Sequence, residues 1–112
     1  MASQPTGSTP VTLINVFEID PAHLEPFMAS WRERAEFMSR QPGFRSFRLH
    51  RALSPRARFQ LVNVAEWDSA DALAAATAQE EFQASAQESV QRFGVTAHPG
   101  VYETADAITR PA

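Results

Sequence analysis

The chain has 112 residues, 44% hydrophobic and 21% charged, which suits one soluble domain and excludes wholesale disorder. Thirteen acids against ten bases give a formal charge of −3, unlike the basic footprint of a nucleic-acid binder. Cysteine is absent and all ten bases are arginine, which removes disulfides, thiolate nucleophiles, cysteine metal sites, lysine Schiff bases and a P-loop.

Residues 1–10, rich in Ser, Thr, Gly and Pro, read as a disordered tail. Val11–Ile19 alternates, with Val11, Leu13, Asn15, Phe17 and Ile19 on one side and Thr12, Ile14, Val16 and Glu18 on the other. Both sides are mostly apolar, as in a central strand. Asp20-Pro21 predicts a helix start. Leu24, Phe27, Met28, Trp31, Ala35 and Met38 then form one apolar stripe, which Pro42-Gly43 ends. Phe44–Leu53 and Arg58–Trp67 read as a hairpin about the Ser54-Pro55 turn. Asp68 or Ser69 caps a short helix to about Thr77, and a second helical piece covers about Glu80–Phe93. Pro99 precedes a last strand, Gly100–Ala107, and residues 108–112 are expected to fray.

The order β-α-β-β-α-β predicts one domain over residues 11–107, of the α+β class: a ferredoxin-like split β-α-β antiparallel sheet with its helices on one face. The first and third strands lie side by side in its centre. The other face carries Ile14, Val16, Val62 and Val64, and an aliphatic face of that size asks for a partner. A homodimer packed sheet to sheet is expected. No apolar stretch approaches the roughly 20 residues that cross a membrane, and the N-terminus lacks the basic start and apolar run of a signal peptide. A cytoplasmic protein with no membrane or nucleic-acid partner is expected.

Period two places Leu61, Asn63, Ala65 and Trp67 of the third strand, with Phe59, on one face. If the central strands are neighbours, Asn15 and Asn63 converge on the helix side with Trp67. Asparagine is depleted in strands, and an unpaired buried amide costs roughly 1–3 kcal/mol. Two amides and an indole N–H among Phe, Met and Trp side chains match a binding pocket: mostly apolar, with a few convergent polar groups. In the alternative reading each Asn bonds adjacent backbone and Trp67 is core.

Val11-Thr12-Leu13-Ile14-Asn15, Arg40-Gln41-Pro42-Gly43-Phe44, Leu49-His50-Arg51 and Val62-Asn63-Val64-Ala65-Glu66-Trp67-Asp68-Ser69 together resemble the antibiotic biosynthesis monooxygenase family. The resemblance runs from about residue 11 to about 105 and implies a dimeric α+β barrel. Within the family the chain looks most like the cofactor-independent anthrone oxygenases of aromatic polyketide pathways. Some of those use an Asn on the first strand, and an Asn and a Trp four residues apart on the third, the positions of Asn15, Asn63 and Trp67. The resemblance implies a monooxygenase that oxidises a polycyclic phenolic anthrone or quinol to a quinone with O₂, without cofactor or metal, in secondary metabolism. The haem-degrading branch adds a haem-ligating His on the last helix, and Ala86 stands there in this chain. A haem-binding or haem-degrading relative is one alternative, and a non-catalytic dimeric ligand-binding protein another.

Asn15, Asn63 and Trp67 are thus the expected catalytic residues. Phe17, Phe27, Met28, Trp31, Leu49, Arg51, Leu61 and Phe82 are the expected substrate-binding wall. Such neutral donors stabilise an anion rather than abstract a proton, so deprotonation relies on the substrate's own acidity. His23, His50 and His98 lack metal-ligand spacing, and His50 is expected to be solvated or at an interface. Arg40, Arg45, Arg48, Arg51, Arg56 and Arg58 read as a solvated hairpin balanced by later acids. Arg51 alone shares the alternation of Phe47 and Leu49, where it could hold a substrate carboxylate. No G-x-S-x-G elbow and no Gly-rich phosphate loop occurs.

Overall fold

The computed structural model describes residues 9–112, so most of the expected N-terminal tail lies outside the described residues. Strand β1 (Val11–Glu18) leads to a 3-10 turn over Pro21–His23. Asp20 starts that turn, its carboxylate accepting from the Ala22 N–H at 2.9 Å. Helix α1 (Leu24–Ser39) then buries Leu24, Phe27, Trp31, Ala35 and Met38, the three- and four-residue spacing that turns one helix face inward. Gly43 follows with a φ of +87°, which L side chains avoid. Its carbonyl accepts from the Asp68 N–H at 2.7 Å, and a Cβ on it would sit 2.5 Å from the Ala72 Cβ. Only glycine fits where this turn meets the chain after the third strand.

Strands β2 (Phe44–Arg51) and β3 (Leu61–Trp67) form the hairpin. β3 begins three residues later than the expected Arg58. The buried Gln60 side chain is the reason: its amide donates to the Ser54 and Ala57 carbonyls at 3.1 and 2.7 Å, tying up the connecting loop. Phe59 packs against the His98 ring, 5.7 Å away, rather than joining the inner row. Ser69 caps helix α2 (Ala70–Thr77), and helix α3 (Glu80–Phe93) closes on a left-handed Gly94. Strand β4 (Thr96–Tyr102) starts ahead of Pro99, not after it. β4 pairs only with β1, and an edge strand tolerates the missing proline N–H. No helix or strand follows Tyr102.

The sheet order is β2-β3-β1-β4, every neighbour antiparallel. This is the ferredoxin-like α+β arrangement that the element order predicts. The β1–β3 register alternates faces. Val11–Trp67, Leu13–Ala65, Asn15–Asn63 and Phe17–Leu61 point to the helices, while Thr12–Glu66, Ile14–Val64 and Val16–Val62 point away. Thr12 donates to Glu66 across the open face at 2.8 Å. A bulge between Phe44 and Ser46 shifts β2 against β3, so Phe44 and Phe47, three apart, both turn inward. No helix is long and apolar enough to cross a membrane among the described residues.

Two apolar clusters fill the space under the helices. One gathers Phe17, Ile19, Leu24, Phe27, Trp31, Ala35, Leu61, Phe93 and Val95. The other gathers Met38, Ala65, Trp67, Leu73 and Ala76. Arginines of the hairpin region lie outside, in exposed ion pairs with Asp68 (Arg45), Glu25 (Arg51) and Glu18 (Arg58). Such pairs contribute little to stability.

Candidate active site

Asn15 and Asn63 are direct cross-strand partners on the two central strands of the sheet. The alternation of β1 and β3 carries both amides to the helix side, and Trp67 follows on the same face, four residues along β3. Opposite them stands α1. A cavity of about 70 Å³ lies between, lined by Leu13 and Asn15 of β1, Phe44 and Phe47 of β2, and Asn63, Ala65 and Trp67 of β3. Trp31, Arg34, Ala35 and Met38 of α1 and Phe82 of α3 complete the wall. Trp67 is 1% exposed, its indole edge-on to the Phe44 ring at 5.3 Å. Phe47 in turn meets the Trp31 ring edge-on at 5.0 Å. These aromatic contacts fix the indole while leaving its N–H unused.

Three buried polar atoms here have no hydrogen-bond partner among the described residues: Asn15 Oδ1, Asn63 Oδ1 and Trp67 Nε1. Native proteins pair nearly all such groups, and each orphan costs about 1–3 kcal/mol. All three line one cavity, and together they offer two acceptors and a donor to whatever enters it. The alternative in which each amide is satisfied by neighbouring backbone does not describe this geometry.

The expected wall residues divide. Trp31 and Phe82 line the cavity. Phe17, Phe27 and Leu61 do not: they are packed into the neighbouring cluster, at 0–2% exposure, against which Met28 and Leu49 also rest. Alternation and helical period give a residue's face but not its distance along the element, and these residues share the right face one rung or one turn too far. Arg51 is also elsewhere. It is exposed and donates to Glu25 at 3.0 Å.

Arg34 replaces it as the cation of the site, and the sequence reading overlooked it. The signal was its spacing: Phe27, Trp31, Arg34 and Met38 step by four, three and four residues, so Arg34 sits on the buried stripe despite its charge. Its Nε donates to Ser85 Oγ at 3.0 Å, and its Nη2 to the Ser85 carbonyl at 3.2 Å and to Ser89 Oγ at 2.5 Å. The guanidinium lies 5.8 Å from the Phe82 ring centre. Burial pushes its pKa below the ordinary arginine value, yet a guanidinium stays protonated. The histidines lie apart from the cavity wall. His23 meets the Phe93 carbonyl, His98 meets Glu18, and His50 is exposed on the open face of the sheet. Ala86 sits on α3, half-buried.

Residues 10–88 match the family described as antibiotic biosynthesis monooxygenase. The chain belongs to that family. Among solved structures, a protein provisionally assigned as a monooxygenase from Shewanella loihica PV-4 is 31% identical, with 89% of this chain and 98% of that one covered at a TM-score of 0.73. SnoaB, a cofactor-independent oxygenase from Streptomyces nogalater, is 28% identical, with 91% and 99% covered at a TM-score of 0.75. A Deinococcus radiodurans protein at 16% identity and a TM-score of 0.76, with 91% and 99% covered, shares the fold. No curated protein matches. This antibiotic biosynthesis monooxygenase thus has a ferredoxin-like sheet, a small cavity under its helices, and a neutral amide pair and one cation in the cavity wall.

Proposed function

We propose that this family member is a cofactor-independent monooxygenase that uses O₂ to oxidise a polycyclic phenolic anthrone or quinol to a quinone in secondary metabolism. The observation that carries the reading is the trio of unpartnered atoms on Asn15, Asn63 and Trp67 in one otherwise apolar cavity. A phenol hydroxyl donates to an Asn Oδ1, and a ring carbonyl or its enolate oxygen accepts from the indole N–H. The likeness to SnoaB, a cofactor-independent oxygenase, supports the same class of chemistry.

The substrate supplies the electrons. An anthrone loses a proton to give an enolate, which reduces O₂ and recombines with it as a carbon-bound hydroperoxide. Loss of the second hydrogen from that carbon as a proton breaks the O–O bond. The ring carbon becomes a carbonyl, and one oxygen atom leaves as water. The protein's part is to hold the planar ring, exclude water and stabilise charge where it develops. Asn15 and Asn63 orient the substrate, and Trp67 donates to its oxygenated intermediate. A haem-degrading reading is the weaker one, because Ala86 stands where that branch needs an imidazole.

The cavity of about 70 Å³ is well below the roughly 300–1,000 Å³ of small-molecule pockets. A three-ring substrate therefore requires the wall to widen. The half-exposed aliphatic residues of the open sheet face support a homodimer packed sheet to sheet as the working form, and a cytoplasmic location belongs to the same reading.

Oxygen uptake by the metal-free protein with dithranol tests the reading. Enzyme-dependent uptake is expected, falling at least about tenfold (about 1.4 kcal/mol) in both Asn63→Ala and Trp67→Phe. Uptake no faster than the spontaneous rate would refute the oxygenase. Uptake indifferent to both changes would refute the assigned residues.

A further inference from the structure

The proposed chemistry lacks one component among the residues so far assigned. Its intermediate is an anion, yet Asn15, Asn63 and Trp67 are neutral. Among the cavity-lining residues one side chain is charged, Arg34. It makes no ion pair among the described residues, whereas Arg32, Arg45, Arg51, Arg58 and Arg92 are paired with carboxylates. Its Nε and Nη2 are held by Ser85 and Ser89. Its Nη1 has no hydrogen-bond partner among the described residues. A half-buried guanidinium fixed by neutral hydroxyls keeps its full charge for a ligand, because no carboxylate competes for it.

Arg34 also divides two spaces. It belongs to the wall of the inner cavity and to that of an outer groove between α1 and α3, lined besides by Ser30, Glu33, Phe37, Glu81, Ser85 and Glu88. Three carboxylates flank the outside, and the inner wall has none. An anion in the outer groove meets carboxylates, whereas the one charged side chain of the inner wall is the Arg34 cation. A substrate that enters as the neutral phenol or enol and ionises inside suits both.

We propose that Arg34 is the counter-ion of the reaction: it binds the ionised oxygen of a phenolic or enolic substrate and favours that form inside the cavity. The inference deepens the oxygenase reading and rests on it for the substrate class. The step is an acid dissociation. The substrate O–H bond breaks, its electron pair stays on the oxygen beside Arg34, and the proton leaves to solvent water. The charged groups around Arg34 are Glu33 on its own helix and Glu81 and Glu88 on α3. The sheet side of the cavity contributes none.

The test is a visible-absorption titration of a monohydroxyanthraquinone bound to excess protein. The dye changes colour on ionisation and is already a quinone, so the readout needs no turnover. Bound to the wild type, it is expected to be at least about tenfold more ionised at a given pH than in buffer. Arg34→Gln is expected to abolish that enrichment. Arg34 also ties α1 to α3, so Arg34→Lys serves as a second variant that keeps the charge and changes the hydrogen bonds. It is expected to keep most of the enrichment. A dye no more ionised when bound to the wild type than in buffer would overturn the proposal. So would failure of the dye to bind, enrichment that survives in Arg34→Gln, or its equal loss in both variants. Oxygen uptake without enrichment would overturn the counter-ion alone, and enrichment without oxygen uptake would overturn the oxygenase alone.

Discussion

At the Phe17–Leu61 rung of the central strands the interior is closed, and at the next inward-facing rung, Asn15–Asn63, it is open. Helices α1 and α3 cover both rungs. At the closed one, Phe17, Phe27 and Phe93 meet at tilted and edge-on angles with centroids 5.4 and 5.9 Å apart. At the open one, a pair of amides replaces the pair of hydrocarbons, and a cavity takes the place of packing. Trp31 belongs to both, lining the cavity while packing in the closed cluster. The contrast shows a division of labour within one short core. The Phe17–Leu61 rung is closed by packing, and the Asn15–Asn63 rung carries unsatisfied polar atoms between the two apolar clusters that flank it.

Substitutions at the two ends should then act in opposite ways. The largest effect is expected from Phe27→Ala at the closed end, where the side chain is 0% exposed. Such truncations cost about 3–5 kcal/mol, a large share of the 5–15 kcal/mol that holds a typical domain together. Urea unfolding measures it, and a loss under about 1 kcal/mol would erase the distinction between the ends. Asn63→Leu at the open end should do the reverse. It removes a buried amide with an unpaired oxygen, so stability should hold or rise by about 1 kcal/mol, roughly 4 °C in Tm. Oxygen uptake should be lost in the same variant. Destabilisation by 2 kcal/mol or more would mean that the amide is structurally satisfied.

Much of this division could be read from the sequence, but not its position along the strands. Period two placed Asn15, Asn63 and Trp67 on one face, and the α1 stripe supplied the facing wall. Neither pattern says that Phe17 and Leu61 sit one rung away from the cavity, because alternation carries no coordinate along the strand. Phe44 was hidden by the bulge, which breaks the alternation on which the reading relies. Arg34 was hidden by its charge, although its spacing fits the stripe. Pro99 misled because proline reads as a strand boundary, and only the sheet order reveals β4 as an edge.

The two faces of the sheet offer a weaker contrast. Val62 neighbours Asn63 in β3 but points away from the helices, opposite Val16. In an isolated chain, Val62→Asp is a surface change, worth about 0.5 kcal/mol or less. In a face-to-face dimer the same carboxylate is buried without a partner. Sedimentation should therefore show a wild-type dimer and a monomeric variant with nearly unchanged unfolding of the chain itself. A wild-type monomer at all concentrations would remove the second copy from the proposal.

The smallest effect belongs to the outer side of the closed end. Glu18 follows Phe17 and turns to the open face. Its Oε1 accepts from Arg58 Nε and Nη2 at 2.9 and 2.8 Å and meets His98 Nε2 at 3.1 Å. The Arg58 hydrogen bond holds its carboxyl below the usual glutamate value of 4.5, with His98 adding in the same direction. A carboxylate whose pKa is lowered on folding stabilises the protein above its unfolded pKa, and that gain fades as pH falls through the lower folded value. Glu18→Gln should therefore unfold slightly more easily than the wild type at neutral pH, and the gap should close as pH falls below the usual glutamate value and through the lowered folded one. High salt should shrink it too, because the charges are exposed. A gap that persists undiminished in acid would point instead to hydrogen bonds that glutamine cannot reproduce, independent of charge.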